Sequence, residues 1–227
     1  VASPHPLDRP AWSALTTGWA KLAQGSPTAW RLAPQYGPFA AAADASPESL
    51  AALAALDFGE TGLWLVETQE QPLPPGTSVA VSAPCWQMTA QGSDDNPVAF
   101  RTVPLGDADA AEMLALALLT KPGPFSTHTH QLSQFIGVKQ DGRLVAMAGE
   151  RMRCPGFAEV SGVCTHPDFR GRGYAAGLMR LVSRRILARG ETPFLHTYEA
   201  NTGAIELYKT LGFSHRVTVM ATVLKRS

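Results

Sequence analysis

Residues 163–178 read VCTHPDFRGRGYAAGL, and the rest of the chain is laid out around them. An apolar run ends at Thr165, a short segment carries Pro167 and Arg170, and a turn with Gly171 and Gly173 opens an amphipathic helix. Strand, glycine turn and helix N-terminus in that order make an anion cradle. Glycine lets backbone N–H groups point at a phosphate, and the positive end of the helix dipole lies behind them. Arg170 and Arg172 add charge to the same turn. The helix, from Gly173 to about Arg189, buries Ala175, Leu178, Met179, Val182 and Ile186 at helical spacing, and Gly190 stops it.

Downstream, 194–198 is a strand parallel to 157–165, because a whole helix crosses between them. Asn201 starts a helix that Gly212 ends, and 217–224 is a closing strand. Upstream, 135–139 and 144–151 form a hairpin around Gln140-Asp141-Gly142. A strand is expected at 98–103 and a helix at 107–119, stopped by Lys121-Pro122-Gly123-Pro124; residues 125–134 have no clear pattern. The polar run QGSDDN at 91–96 divides an N-terminal α/β region, 1–96, from a second domain, 97–227. In the first region Trp12, Leu15, Trp19 and Leu22 predict a helix from Pro10 to about Ala23, and Ser46-Pro47-Glu48 starts another. Strands are expected at 29–32, 62–67 and 78–86. Alternating strands and helices predict an α/β layer throughout.

Composition narrows the function. Lys and Arg number 19 and Asp and Glu 19, so no global basic field argues for nucleic acid, and any anion site is local. Cys85, Cys154 and Cys164 form no C-x-x-C, which fits a reducing cytoplasm better than a disulfide framework. No apolar run reaches the roughly 20 residues of a membrane span, and no basic-then-apolar start predicts a signal peptide. His128 and His130 alternate without neighbouring carboxylates or cysteines, so no metal is expected. Gly171-x-Gly173-x-x-Ala176, with Glu199 beyond the next strand, formally fits a dinucleotide fingerprint. There, however, the first glycine follows the strand directly; here His166–Arg170 intervene, and too little chain follows for a doubly wound sheet.

Arg170-Gly171-Arg172-Gly173-Tyr174-Ala175 resembles the pyrophosphate loop of the GNAT acyltransferase superfamily, [Q/R]-x-x-G-x-[G/A]. The preceding V-C-T-H-P-D-F-R resembles the end of that family's fourth strand. Asn201-x-x-Ala204-Ile205-x-Leu207-Tyr208-x-x-Leu211-Gly212-Phe213 resembles its last helix and strand entry. Within the superfamily, PFLH and LYKTLGF resemble the FR47-like branch, and the likeness covers about 98–227. Residues 1–96 resemble no family independently, though two-part members with a degenerate GNAT-like N-terminal half exist.

The resemblance implies a mixed, splayed sheet flanked by helices, and transfer of an acetyl group from acetyl-CoA to a primary amine of a small or amino-acid-like acceptor. It implies that Arg170, Gly171, Arg172, Gly173, Tyr174 and Ala175 hold the pyrophosphate. It also implies that the edge of Val163, Cys164 and Thr165 pairs with pantetheine, that Asn201 hydrogen-bonds it, and that an N–H near Val163 faces the oxyanion. Glu159 stands eleven residues before Arg170, the offset of the base glutamate in the family's histone-modifying members, whose strand also reads F-A-E. Strand alternation puts it on the side of Ser161, Val163 and Thr165; the alternative is a solvated edge carboxylate, and Glu150 is a second candidate. Tyr208 is the expected general acid, with an ordinary core tyrosine as the alternative. Cys164 reads as a buried strand residue, and His196 as a structural histidine. The competing function is an acyl-CoA-binding regulatory module without chemistry. No oligomeric state follows from the sequence.

Overall fold

Helix α1 (Pro10–Thr16) starts where Pro10 supplies the fixed φ of a first turn. It ends well short of the expected Ala23. The hydroxyls of Thr16 and Thr17 turn back onto the carbonyls of Trp12 and Ser13, and the chain then bends at Gly18 against the backbone of Arg153. The structure, a computed structural model, describes residues 5–92 and 96–227.

After α1, β1 (Ala23–Ser26), β2 (Ala29–Leu32) and β3 (Ala40–Ala42) form a small antiparallel sheet. Helix α2 (Pro47–Ala55) follows, its N-terminus capped by Ser46, whose Oγ accepts the Ser49 N–H at 3.2 Å. The remaining elements are β4 (Leu63–Glu67), β5 (Thr77–Ala90), β6 (Val103–Leu105), α3 (Ala110–Thr120), β7 (Phe135–Gln140), β8 (Arg143–Cys154), β9 (Phe157–Thr165), α4 (Tyr174–Ala188), β10 (Thr192–Tyr198), α5 (Thr202–Thr210) and β11 (Phe213–Arg226). The strand expected at 98–103 is not formed there: β6 begins only at Val103 and runs to Leu105. Phe100, ahead of it, meets the Tyr174 ring edge-on, with centroids 5.0 Å apart.

Among the described residues, β4 to β11 form one sheet in the order β4-β11-β5-β10-β9-β8-β7-β6. Every neighbouring pair is antiparallel except β9 and β10, which run parallel as their helical crossover requires. Strand β5, from the N-terminal region, is seated between β10 and β11. The polar run at 91–96 has its centre, 93–95, outside the described residues.

The sheet is covered on both faces. On one, Leu178, Met179, Val182 and Ile186 of α4 pack with Ala146, Ala148, Ala158 and Val160, and Leu207 and Leu211 join from α5 and its end. On the other, Ala11, Ala14 and Leu15 of α1 pack with Met152, Phe194 and Val219, while Met113 and Leu116 of α3 pack with Phe135, Met147 and Cys164. Each fully buried Leu or Met contributes about 2 kcal/mol by leaving water. No helix among the described residues is long and apolar enough to cross a membrane.

Candidate active site

Parallel pairing of β9 and β10 lasts three residues, from Thr192 opposite Phe157 to Phe194 opposite Glu159. Beyond that the strands part. The cause lies in β9: Gly162 takes φ +63°, and the register with β8 slips between Met147 and Gly149. This is a bulge, which bends a strand and reverses its facing. Ala158 and Val160 face α4, and so does Val163, whereas Cys164 packs with α3. The alternation expected to place Glu159 beside Val163 therefore fails. Past the bulge, Cys164 and Thr165 pair with β8, opposite Met147 and Ala146, while the edge of Val163–Thr165 toward β10 is left open.

At the end of that edge, residues 167–169 make a single 3₁₀ turn, and Gly171 and Gly173 both take φ +74°. Only glycine holds this conformation without strain, and nothing lies within 4 Å of where a Cβ would stand at either position. Among the described residues, the N–H groups of Gly171, Arg172, Gly173, Tyr174 and Ala175 donate to no backbone carbonyl. Arg172 lies over the Phe169 ring at 4.8 Å, and Arg170 is exposed. The Tyr174 side chain does not join the cradle. It is buried in the core, and its hydroxyl accepts from Gln140 at 3.2 Å.

One cleft of about 800 Å³ crosses the parted strands. Val163, Cys164, Thr165, residues 170–176, Asn201 and Tyr208 line it. Tyr208 is half-buried; burial raises its phenol, and its hydroxyl bonds to no described residue. Asn201 occupies the N-cap position of α5, but its side chain makes no capping bond, which leaves its amide without a partner among the described residues. The Thr165 Oγ1 is buried with no partner among the described residues. Burial pushes the Cys164 and Cys85 thiols each up to about 11, which removes them as thiolate nucleophiles.

Glu159 does not line the cleft; it lies behind Arg151 and His196, which do. It is 1% exposed. Its carboxylate accepts from Arg151 Nε at 2.9 Å, Arg151 Nη2 at 2.8 Å, the Met152 N–H at 3.2 Å and His196 Nδ1 at 2.8 Å. These donors fill a carboxylate's acceptor sites. Burial alone would raise its pKa; the Arg151 charge and the hydrogen bonds from His196 and Arg151 win, holding it below the usual carboxylate range. Its route to a substrate thus runs through His196 and Arg151. Gln87 donates to His196 Nε2 at 3.1 Å and to the Leu7 carbonyl at 2.8 Å, while its own oxygen accepts from Arg216, which pairs with Asp8. With Gln87 donating to Nε2, the His196 ring donates its Nδ1–H to Glu159.

Glu150 is also placed elsewhere: it pairs with Arg185 and Arg189 of α4 and its end, at 2.8 and 2.6 Å, and pins that helix to β8. His130 bonds Asp107 at 2.8 Å, and His128 meets Tyr36 edge-on. A further wall of the cleft comes from residues far apart in sequence. Phe39, Trp64, Val66 and Cys85 from the N-terminal region line it with Ala221 and the loop 120–124.

The FR47-like protein model matches residues 135–221. The chain is 29% identical over 134 residues to the N-alpha-acetyltransferase RimI of Mycobacterium tuberculosis, covering 53% of this chain and 81% of that protein. A GCN5-related N-acetyltransferase of Kribbella flavida shares the fold at 17% identity, with 94% and 93% coverage and a TM-score of 0.63. A crystal structure from Novosphingobium aromaticivorans, named as a GNAT-family acetyltransferase, superposes with a TM-score of 0.89. It is 50% identical, with 98% of this chain and 99% of that one covered. With half of its residues shared over nearly the full length of both chains, and with the cradle, parted strands and last helix arranged around one cleft, the chain belongs to the GNAT family of acetyltransferases.

Proposed function

We propose that the protein moves an acetyl group from acetyl-CoA to a primary amine of a small or amino-acid-like acceptor by direct attack. The observation that carries this reading is the single cleft uniting the unspent amides of 171–175, the open edge of Val163–Thr165 and the unpartnered Tyr208 hydroxyl. The amides and Arg170 would hold the pyrophosphate. The strand edge and Asn201 would hold the pantetheine amides, and an N–H near Val163 would face the developing oxyanion. The amine nitrogen attacks the thioester carbon, the C–S bond breaks, and the Tyr208 hydroxyl gives its proton to the leaving sulfur. The proton shed by the amine passes to water in the cleft, and Glu159, a positioning residue, holds Arg151 and His196 in place along its wall. One relative carries the name N-alpha-acetyltransferase, which supports an amine acceptor. Residues 1–96 serve as the acceptor wall through Phe39, Trp64 and Val66. Three unpaired cysteines support assignment to the cytoplasm.

The test is thermal unfolding with acetyl-CoA, followed by free-thiol release with a panel of amines. A rise in Tm together with amine-dependent thiol release is expected. Binding without thiol release would leave a coenzyme-A-binding module, and a folded protein with no shift on any acyl-CoA would sink the reading.

A further inference from the structure

The cleft carries no carboxylate among its described lining residues, yet four cations line it: Lys121, Arg151, Arg170 and Arg172. Two of these belong to the cradle. The other two stand at the acceptor end. Arg151, with a side chain 10% exposed, spends Nε and Nη2 on Glu159. Its Nη1 bonds to no described residue and sits beside the 121–124 loop, since a Cβ added at Gly123 would lie 3.5 Å from it. Phe39 covers the guanidinium at 4.8 Å and fixes its plane. Lys121 is exposed, pairs with no described acid, and is set on the rim in a left-handed conformation at φ +52°. Between these groups the wall is apolar: Phe39, Trp64, Val66 and Ala221.

Resting on the acetyl-transfer reading, we infer that the acceptor is a free α-amino acid with an apolar or aromatic side chain. Its carboxylate meets Arg151 Nη1 and Lys121, and its side chain lies against Phe39 and Trp64. A guanidinium whose fork is half used still offers planar donors to a carboxylate. Glu159 neutralises the formal charge of Arg151, so Lys121 supplies the long-range attraction. A polyamine or a lysine-rich peptide would bring cations to a cleft that holds only cations and has no acid to pair with, which like-charge repulsion disfavours.

The experiment compares thiol release from acetyl-CoA with L-phenylalanine, L-leucine, L-phenylalaninamide, phenethylamine and spermidine, alongside the acetyl-CoA thermal shift. The acids are expected to exceed their amide or decarboxylated partners at least ten-fold in kcat/KM, through KM, with spermidine unreactive. Arg151→Lys keeps a cation against Glu159 but loses Nη1, and should erase that preference. Because it can disturb folding, Lys121→Ala on the exposed rim is the second variant, expected to narrow the acid-over-amide ratio by raising KM for the acid. Turnover in which amides or spermidine match the acids overturns the inference and leaves the acetyl-transfer reading intact, as does acetyl-CoA binding with none of the acids acetylated. Absence of acetyl-CoA binding overturns both.

Discussion

Around residues 163–176, at one end of the cleft, hydrogen-bond donors are left unspent; behind the other, the Glu159 carboxylate has its acceptor sites filled by Arg151, His196 and the Met152 N–H, with Arg151 Nη1 left toward the cleft. The first end keeps its amides and Arg170 in or near water, where exposure costs little. The second was desolvated during folding, so its geometry is fixed before any substrate arrives. The contrast separates two tasks. Open donors supply affinity for an anion, and a closed network supplies alignment.

Four changes would break or sharpen that contrast. Glu159→Gln should cost the most, because it strands the Arg151 charge in the interior: unfolding in urea at pH 7 should lose about 3–5 kcal/mol. A loss under about 1 kcal/mol would show that this end is not closed after all. The pH dependence has a definite sign. Glu159 has a folded pKa below its ordinary value of 4.5, so its contribution is complete above that value and is lost as the pH falls toward the folded one. The wild-type advantage over the variant should therefore be flat at neutral pH and shrink only below about pH 4.5. Tyr208→Phe should lower kcat about 100-fold, leaving the KM for acetyl-CoA and the stability unchanged; full activity would remove the tyrosine from the chemistry.

Gly162→Ala tests the bulge that divides the two ends. A side chain there must adopt φ +63° and would meet Phe135 Cε1 at 2.7 Å, so about 2 kcal/mol of stability should disappear. An unperturbed Tm would mean that the strand tolerates a regular course. Arg170→Ala should have the smallest effect, weakening acetyl-CoA about ten-fold in equilibrium titration while moving stability by less than about 0.5 kcal/mol. If its stability fell further, the open end would hold a hidden partner.

The open end was readable from the sequence because it is contiguous. Thr165, Arg170, Gly171 and Gly173 lie within nine residues, and the glycines announce the left-handed turns they adopt. The parallel pair β9 and β10 followed from the crossover helix between them. The closed end was not readable, since Phe39, Trp64, Arg151 and His196 meet only after the sheet has formed. Glu159 illustrates the limit. Its spacing from Arg170 was legible, but period-two alternation is a local rule, and Gly162 breaks it. Helix α1 failed for a similar reason: Trp19 continues the apolar period into a buried site, although the helix has already ended at Thr16.

Strand β5 carries a consequence for how the chain is made. It pairs along its whole length with β11, with Thr77 opposite Arg226, and at its far end with β10. A ribosome releases β5 long before either neighbour exists, so a central strand of the sheet must wait, unpaired and rich in valine and alanine, until β10 and β11 have been synthesised. Long-range pairing of this kind closes slowly and leaves an adhesive edge in the meantime. The nascent protein is therefore most exposed to misassembly and most dependent on chaperones late in translation, and slowed elongation through 91–198 should lower the yield of folded enzyme more than slowing within the first strands.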